Sequence, residues 1–271
     1  MKQGIIVVNH GTTDFEARHN TIEEFVLSIG DRFEEADIAS AYTDGEVRKK
    51  LREISGEKIQ NLKATVLSMK ERGVTHLSVV TTDIIEDDAH KKIREEVSSL
   101  AGLFRDVKIT KPLLSDIKDV GLVARAFYSA FKDAVGDDHM VVVACDDRTV
   151  YENQEMDFLM GEVFDKPLES LENSLREFIG NSYVASVNGK RRLYKVIKEI
   201  NSIEDGKKKR VVLIPFEFIA GTEVENEVSR KLPELIDRLK EEEYDVEVVL
   251  KGIGEYDAFQ RLYLKHLYDE R

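Results

Sequence analysis

The chain has 271 residues, 42% hydrophobic and 34% charged, with a formal net charge of −13. This composition allows a sizeable core in two lobes and excludes a disordered chain, and the negative field excludes nucleic acid and anionic membrane as general partners. A single cysteine, Cys145, excludes an intramolecular disulfide framework. No apolar run reaches the roughly 18 residues of a membrane span, and no signal peptide is read at the start. A soluble, cytoplasmic protein is therefore expected.

Short apolar runs alternate with amphipathic stretches along the chain. In the first half, strands are predicted at Gly4–Asn9, Asp37–Tyr42, His76–Thr82 and Val107–Thr110. Helical patterns between them cover Thr21–Phe33, Val47–Ile54, Gln60–Arg72 and Lys91–Leu103. In the second half, strands are predicted at His139–Cys145, Ser182–Val187, Arg210–Phe218 and Asp245–Leu250. Runs such as Ile5-Ile6-Val7-Val8 and Val211-Val212-Leu213-Ile214 suit a parallel sheet buried on both faces. Strand–helix alternation of this kind gives a doubly wound α/β fold.

The two halves resemble each other. Gly4–His10 aligns with His139–Cys145, Leu77–Asp83 with Val211–Glu217, and Lys111–Leu114 with Lys251–Gly254. The expected fold is therefore two pseudo-symmetric α/β lobes, residues 1–136 and 137–271, each a four-stranded parallel sheet flanked by helices with a cleft between them.

In open parallel sheets, ligands sit outside the carboxyl ends of the strands. The polar residues at those ends are His10, Asp83, Cys145 and Glu217, with Asp87, Asp88 and Glu223 just beyond. In Asn9-His10-Gly11-Thr12-Thr13 the glycine allows a sharp turn that exposes the imidazole, which binds borderline metals and accepts a proton near neutrality. The alternative for His10 is a helix cap. His19, His76, His90, His139 and His266 are assigned surface or packing roles. Glu223 is a metal ligand, a base or a first-turn carboxylate, and Cys145 a thiolate ligand or a small buried residue. Asp87-Asp88 and Asp146-Asp147 are either hydrated-cation sites or solvated turns. An acidic chain needs a local basic patch to bind a polyanion. Lys190-Arg191-Arg192 opens on the cleft side, whereas Lys207-Lys208-Lys209-Arg210 precedes a strand and lies on the opposite face.

Several segments together resemble one family. They are Ile5–Val8 with Gly11-Thr12, Ala41-Tyr42-Thr43 before Val47–Lys50, Lys111–Leu114, Val187-Asn188-Gly189, Leu213-Ile214-Pro215, Ala220-Gly221, Gly252–Glu255 and His266-Leu267. In order and spacing they resemble the anaerobic, CbiK-type sirohydrochlorin cobaltochelatases of the class II chelatase group over nearly the whole chain. The resemblance implies a bilobal enzyme that inserts a divalent metal (Co²⁺, or else Fe²⁺ or Ni²⁺) into sirohydrochlorin without a nucleotide. The tetrapyrrole is then the expected partner, neither nucleic acid nor membrane is, and a homo-oligomer stays open.

Two family metal histidines, in Gly-His-Gly-Thr and Ala-Gly-Asp-His-Ala motifs, align with Cys145 and Glu223 here. A third segment, His-Ile-Ile-Pro-Gly-Glu-Glu, aligns with Asp83–Ala89 and keeps its acidity but not its histidine. His10 stands where the short CbiX-type chelatases carry a histidine. The expected metal set is therefore His10, Cys145, Glu223 and Asp88, with His10 and Glu223 catalytic and Lys190, Arg191 and Arg192 binding the substrate. A non-catalytic relative that binds tetrapyrrole or metal is the alternative, because both family histidines are replaced.

Overall fold

The computed structural model describes residues 2–144, 166–187, 193–203, 210–220 and 227–269. Two four-stranded parallel sheets run in the same spatial order. The first is β2-β1-β3-β4, from β1 Gln3–Asn9, β2 Asp37–Tyr42, β3 His76–Thr81 and β4 Asp106–Ile109. The second is β6-β5-β7-β8, from β5 His139–Ala144, β6 Ser182–Ser186, β7 Arg210–Phe216 and β8 Asp245–Val248. The predicted strands lie within two residues of these bounds, because β-branched runs buried on both faces leave little ambiguity.

The helices are α1 Phe15–Arg18, α2 Glu24–Gly30, α3 Gly45–Ile54, α4 Leu62–Glu71, α5 Asp88–Leu100 and α6 Ile117–Val135. A helix over 166–176 is α7, followed by α8 Leu193–Ile203, α9 Glu227–Glu241 and α10 Asp257–Asp269. Short side chains cap the first-half helices. Asp14, Asp44, Asn61, Asp87 and Asp116 each accept a hydrogen bond from a backbone N–H of the first turn. The helix expected from Thr21 starts earlier, at Phe15, and passes through a π turn at His19–Glu23. That turn aligns residues five apart, so the buried Arg18 meets Glu23 at 3.1 Å as well as Glu57 at 3.0 Å.

Alternation along each strand divides the apolar residues into three cores. Ile6, Val8, Leu77 and Val79 pack under the outer helices of the first sheet, and Val141, Val143, Val211 and Leu213 under those of the second. The inner faces share one core containing Ile5, Val7, Met140, Val142, Val212 and Ile214. Aromatic rings tie it together. Phe127 of α6 meets Phe216 at 5.0 Å and Phe259 at 4.9 Å between centroids, and Phe25 of α2 meets Phe218 at 5.5 Å. The expected boundary near Gly136 falls at the end of α6, and α10 crosses back onto the first sheet. There the Tyr263 hydroxyl donates to the Thr82 carbonyl at 3.0 Å, and His266 Nδ1–H donates to the Lys111 carbonyl at 3.1 Å. Among the described residues no helix is long and apolar enough to cross a membrane.

The pseudo-symmetry extends to single hydrogen bonds. Beyond β3, the Asp83 and Ile84 carbonyls accept from Leu113 N (3.0 Å) and Leu114 N (2.8 Å). Beyond β7, the Glu217 and Phe218 carbonyls accept from Ile253 N (2.9 Å) and Gly254 N (3.0 Å). These bonds also explain why β3 and β7 stop short of their expected ends: the chain leaves the ladder to pair with these turns. The second turn needs its glycine, since a Cβ at Gly252 would lie 2.3 Å from the Phe218 carbonyl oxygen. Gly252→Ala should therefore lower the unfolding free energy by about 1–3 kcal/mol, read from the urea midpoint.

Candidate functional site

The carboxyl ends of the central strands gather polar groups under tight backbone control. Gly11 has φ +93°, and a Cβ there would strike the Tyr42 ring at 2.5 Å, so only glycine lets the chain turn directly after His10. Tyr42 forms a fixed floor beneath this turn. Burial pushes its phenol far above the ordinary tyrosine value, so it stays neutral. Asn9, at the tip of β1, is buried, and neither amide atom has a hydrogen-bond partner among the described residues. Such a group costs roughly 1–3 kcal/mol, a concession commonest at functional ends of folds.

His10 follows with half its side chain exposed, its Nε2 3.1 Å from Asp44 Oδ2. Asp44 is held in turn, because its Oδ1 caps α3 through Glu46 N (2.7 Å) and Val47 N (3.1 Å). The carboxylate therefore orients the ring and leaves Nδ1 as the outward nitrogen, free to hold a metal or take a proton.

On the other side of β1, the pairing of Val8 with Thr81 carries forward to put Asp83 level with His10. His90 Nδ1–H donates to Asp83 Oδ2 at 2.8 Å; the imidazole is almost wholly buried, while the carboxylate is one-fifth exposed. The adjacent strands β2, β1 and β3 thus lead into Asp44, His10 and Asp83 in turn.

Asp87 is engaged as the α5 cap, accepting from His90 N at 2.8 Å, and Asp88 opens the helix with Lys91 Nζ 3.4 Å from its Oδ1. Cys145, Asp146, Asp147, Lys190, Arg191, Arg192 and Glu223 lie outside the described residues; the strands before Cys145 and Lys190 end at Ala144 and Ser186. Sequence reasoning missed Asp44 and the pairing of His90. Applying the strand-tip rule to β2 as well finds the first. The second depends on the Asp87 cap, which turns His90 inward.

His90 and His10 should respond oppositely to truncation. His90→Ala should lower the unfolding free energy by about 1–3 kcal/mol by stranding the Asp83 carboxylate, whereas His10→Ala should stay within about 0.5 kcal/mol. Urea unfolding of both variants provides the comparison.

Comparison with known proteins gives consistent relatives. The family model described as cobalt chelatase (CbiK) matches residues 3–270. The sirohydrochlorin cobaltochelatase of Salmonella typhimurium strain LT2 is 27% identical over 119 residues, 44% of this chain and 45% of the relative. The match thus spans under half the length of that curated protein. SirB from Bacillus subtilis with Fe³⁺ superposes with a TM-score of 0.69 at 16% identity, over 100% of this chain and 96% of SirB. The sirohydrochlorin chelatase SirB from Bacillus subtilis subspecies spizizenii, in complex with cobalt, gives 0.65 at 16% identity, over 100% and 95%. At that identity these two structures show a shared fold.

Proposed function

The chain belongs to the cobalt chelatase (CbiK) family, matched from residue 3 to residue 270, and on that premise we propose that it inserts a divalent metal into a sirohydrochlorin-type tetrapyrrole. Co²⁺ is the first choice of metal, with Fe²⁺ or Ni²⁺ as alternatives. The reaction needs no nucleotide in this reading, and its setting is cytoplasmic. The observation that carries it is the exposed His10 imidazole backed by Asp44 at 3.1 Å, at the carboxyl end of a central parallel strand.

Metal insertion exchanges a divalent cation for two pyrrole N–H protons. The protein must hold the metal loosely enough to hand it over, and a base must stand close to the macrocycle. Few ligands of mixed N and O type meet the first demand. In this proposal His10 Nδ1 carries the metal, the Glu223 carboxylate shares it, and Asp88 is a further oxygen donor at the rim. Asp44 keeps the imidazole in the required tautomer. Cys145, as a thiolate, would retain a soft metal and slow its release. Lys190, Arg191 and Arg192 supply the local positive charge that a polycarboxylate macrocycle needs against a chain of net charge −13.

The test is insertion of Co²⁺ into sirohydrochlorin, followed by the change in the visible spectrum against an enzyme-free control. His10→Ala should lower kcat by about 10²-fold or more, and Cys145→Ser should keep the rate. The reverse pattern would overturn the assignment. A parent protein no faster than the control would instead favour the reading of a non-catalytic tetrapyrrole or metal binder, in which Cys145 and Glu223 mark a lost site. Replacing Lys190, Arg191 and Arg192 together by Ala should weaken sirohydrochlorin binding most at low salt, where charge is least screened. Unchanged affinity there would remove the basic cluster from the site.

A further inference from the structure

The site as proposed leaves a shortage of bases. His10 offers one lone pair, on Nδ1, because Nε2 faces Asp44 Oδ2 at 3.1 Å. While that lone pair holds the metal it cannot take a proton, yet each turnover must remove two protons from the macrocycle. Asp44 is spent on the ring and on the α3 cap.

We propose, resting on the metal-insertion reading, that Asp83 is the proton acceptor that works while His10 carries the metal, and that buried His90 is its positioning residue. Three observations lead there. The parallel register that pairs Val8 with Thr81 carries the two adjacent strands on to His10 and Asp83. The Asp83 backbone is pinned on both sides, by Tyr263 OH donating to the Thr82 carbonyl at 3.0 Å and by Leu113 N donating to the Asp83 carbonyl at 3.0 Å. Finally, the carboxylate is divided: Oδ2 accepts from His90 Nδ1–H at 2.8 Å inside the protein, while the group keeps one-fifth of its surface open.

The two couples are mirror arrangements. At β1 the imidazole is half exposed and the carboxylate orients it; at β3 the imidazole is buried and orients a carboxylate that keeps one-fifth of its surface open. The first suits a metal that arrives and leaves, the second a proton. In balanced form, a pyrrole N–H bond breaks as an O–H bond forms at Asp83 Oδ1, and once both nitrogens have lost their protons their bonds to the metal form as its bond to His10 Nδ1 breaks. Asp83 then releases its proton to water before the second N–H is broken, and the cycle yields the metallated macrocycle and two protons. The carboxylate charge also offsets the cation entering beside it. Glu217 occupies the matching place beyond β7, since Ile253 N bonds its carbonyl as Leu113 N bonds that of Asp83. However, Glu217 Oε1 accepts from Val228 N at 3.3 Å in the first turn of α9 and its Oε2 is buried, whereas Asp83 keeps part of its carboxylate open, so the acceptor is assigned to the first lobe.

Asp83→Asn keeps the shape and the hydrogen bond from His90 but cannot take a proton. It should lower kcat by about tenfold or more while KM for sirohydrochlorin and the urea midpoint stay near parent values. Asp83→Glu should restore part of the rate. His90→Leu should lower kcat, and His90→Gln, whose amide can still donate to the carboxylate, should recover part of the loss. An active parent with Asp83→Asn within about twofold of its kcat overturns the assignment of Asp83 and leaves the chelatase reading intact. A rise in KM with kcat unchanged overturns it as well, since that is the signature of lost binding. A parent without insertion activity overturns both.

Discussion

The packing of α6 and α2 aromatics against the second sheet and α10 is the constraint on which the rest of the molecule depends. Phe127 wedges between Phe216 and Phe259, and Phe25 lies against both Phe218 and Tyr263, at 5.9 Å from the latter. These offset and edge-on contacts bury large rings with defined relative orientation. Because they join the inner faces of two parallel sheets, they fix the strand tips of one lobe relative to those of the other. The site is assembled from strand tips, so its geometry inherits the rigidity of this core. Tyr263 links the two levels directly, since its ring lies in the aromatic cluster and its hydroxyl holds the Thr82 carbonyl, one residue before Asp83.

Duplication is preserved in the backbone and abandoned in the chemistry. The turns at 111–114 and 251–254 make the same pair of hydrogen bonds to the same places beyond β3 and β7. The side chains at these equivalent positions have diverged. Asn9 corresponds to Ala144, His10 to Cys145 and Asp83 to Glu217 in the strand alignment. The first lobe keeps a polar tip with a buried amide that has no partner among the described residues, a glycine that no other residue can replace without collision, and two imidazole–carboxylate couples. The second ends β5 on a buried Ala144 and commits Glu217 to a helix start. Backbone equivalence is cheap to keep because both sheets solve the same packing problem.

The sequence carried the sheets and the strand tips, and the reason is burial. Central strands such as Ile5–Val8 and Val211–Ile214 are wholly apolar because both faces are covered, and that pattern survives without tertiary knowledge. His10 was legible for a similar reason, since a glycine directly after a polar strand end forces the turn that exposes it. Asp44 was not, because its role as a cap gives it a complete local explanation and its contact with His10 spans two strands. His90 was read as a packing or surface residue; it is buried, and what the sequence could not supply was its partner, which depends on the direction in which the Asp87 cap launches α5. The π turn escaped notice because the Arg18, Glu23 and Glu57 contacts that accompany it include one 39 residues away.

Net charge completes the account of how so sparse a set of donors can work. A chain of net charge −13 concentrates divalent cations near its surface without any dedicated ligand. A site that must release its metal therefore does not need high intrinsic affinity, and an exposed imidazole with few oxygen donors fits that demand better than a closed cage. Under the proposed function the same field opposes a polycarboxylate macrocycle, so attraction for it has to be local and basic. A local basic cluster within a negative field would let one protein draw in partners of opposite charge. It also predicts salt responses of different steepness for the two: capture of the cation weakens as the general field is screened, and capture of the macrocycle weakens as the basic cluster is screened, while the general repulsion it works against weakens too. Overall affinity for the macrocycle should therefore vary less steeply with salt than affinity for the metal, which titrations of each ligand alone across a salt series would measure.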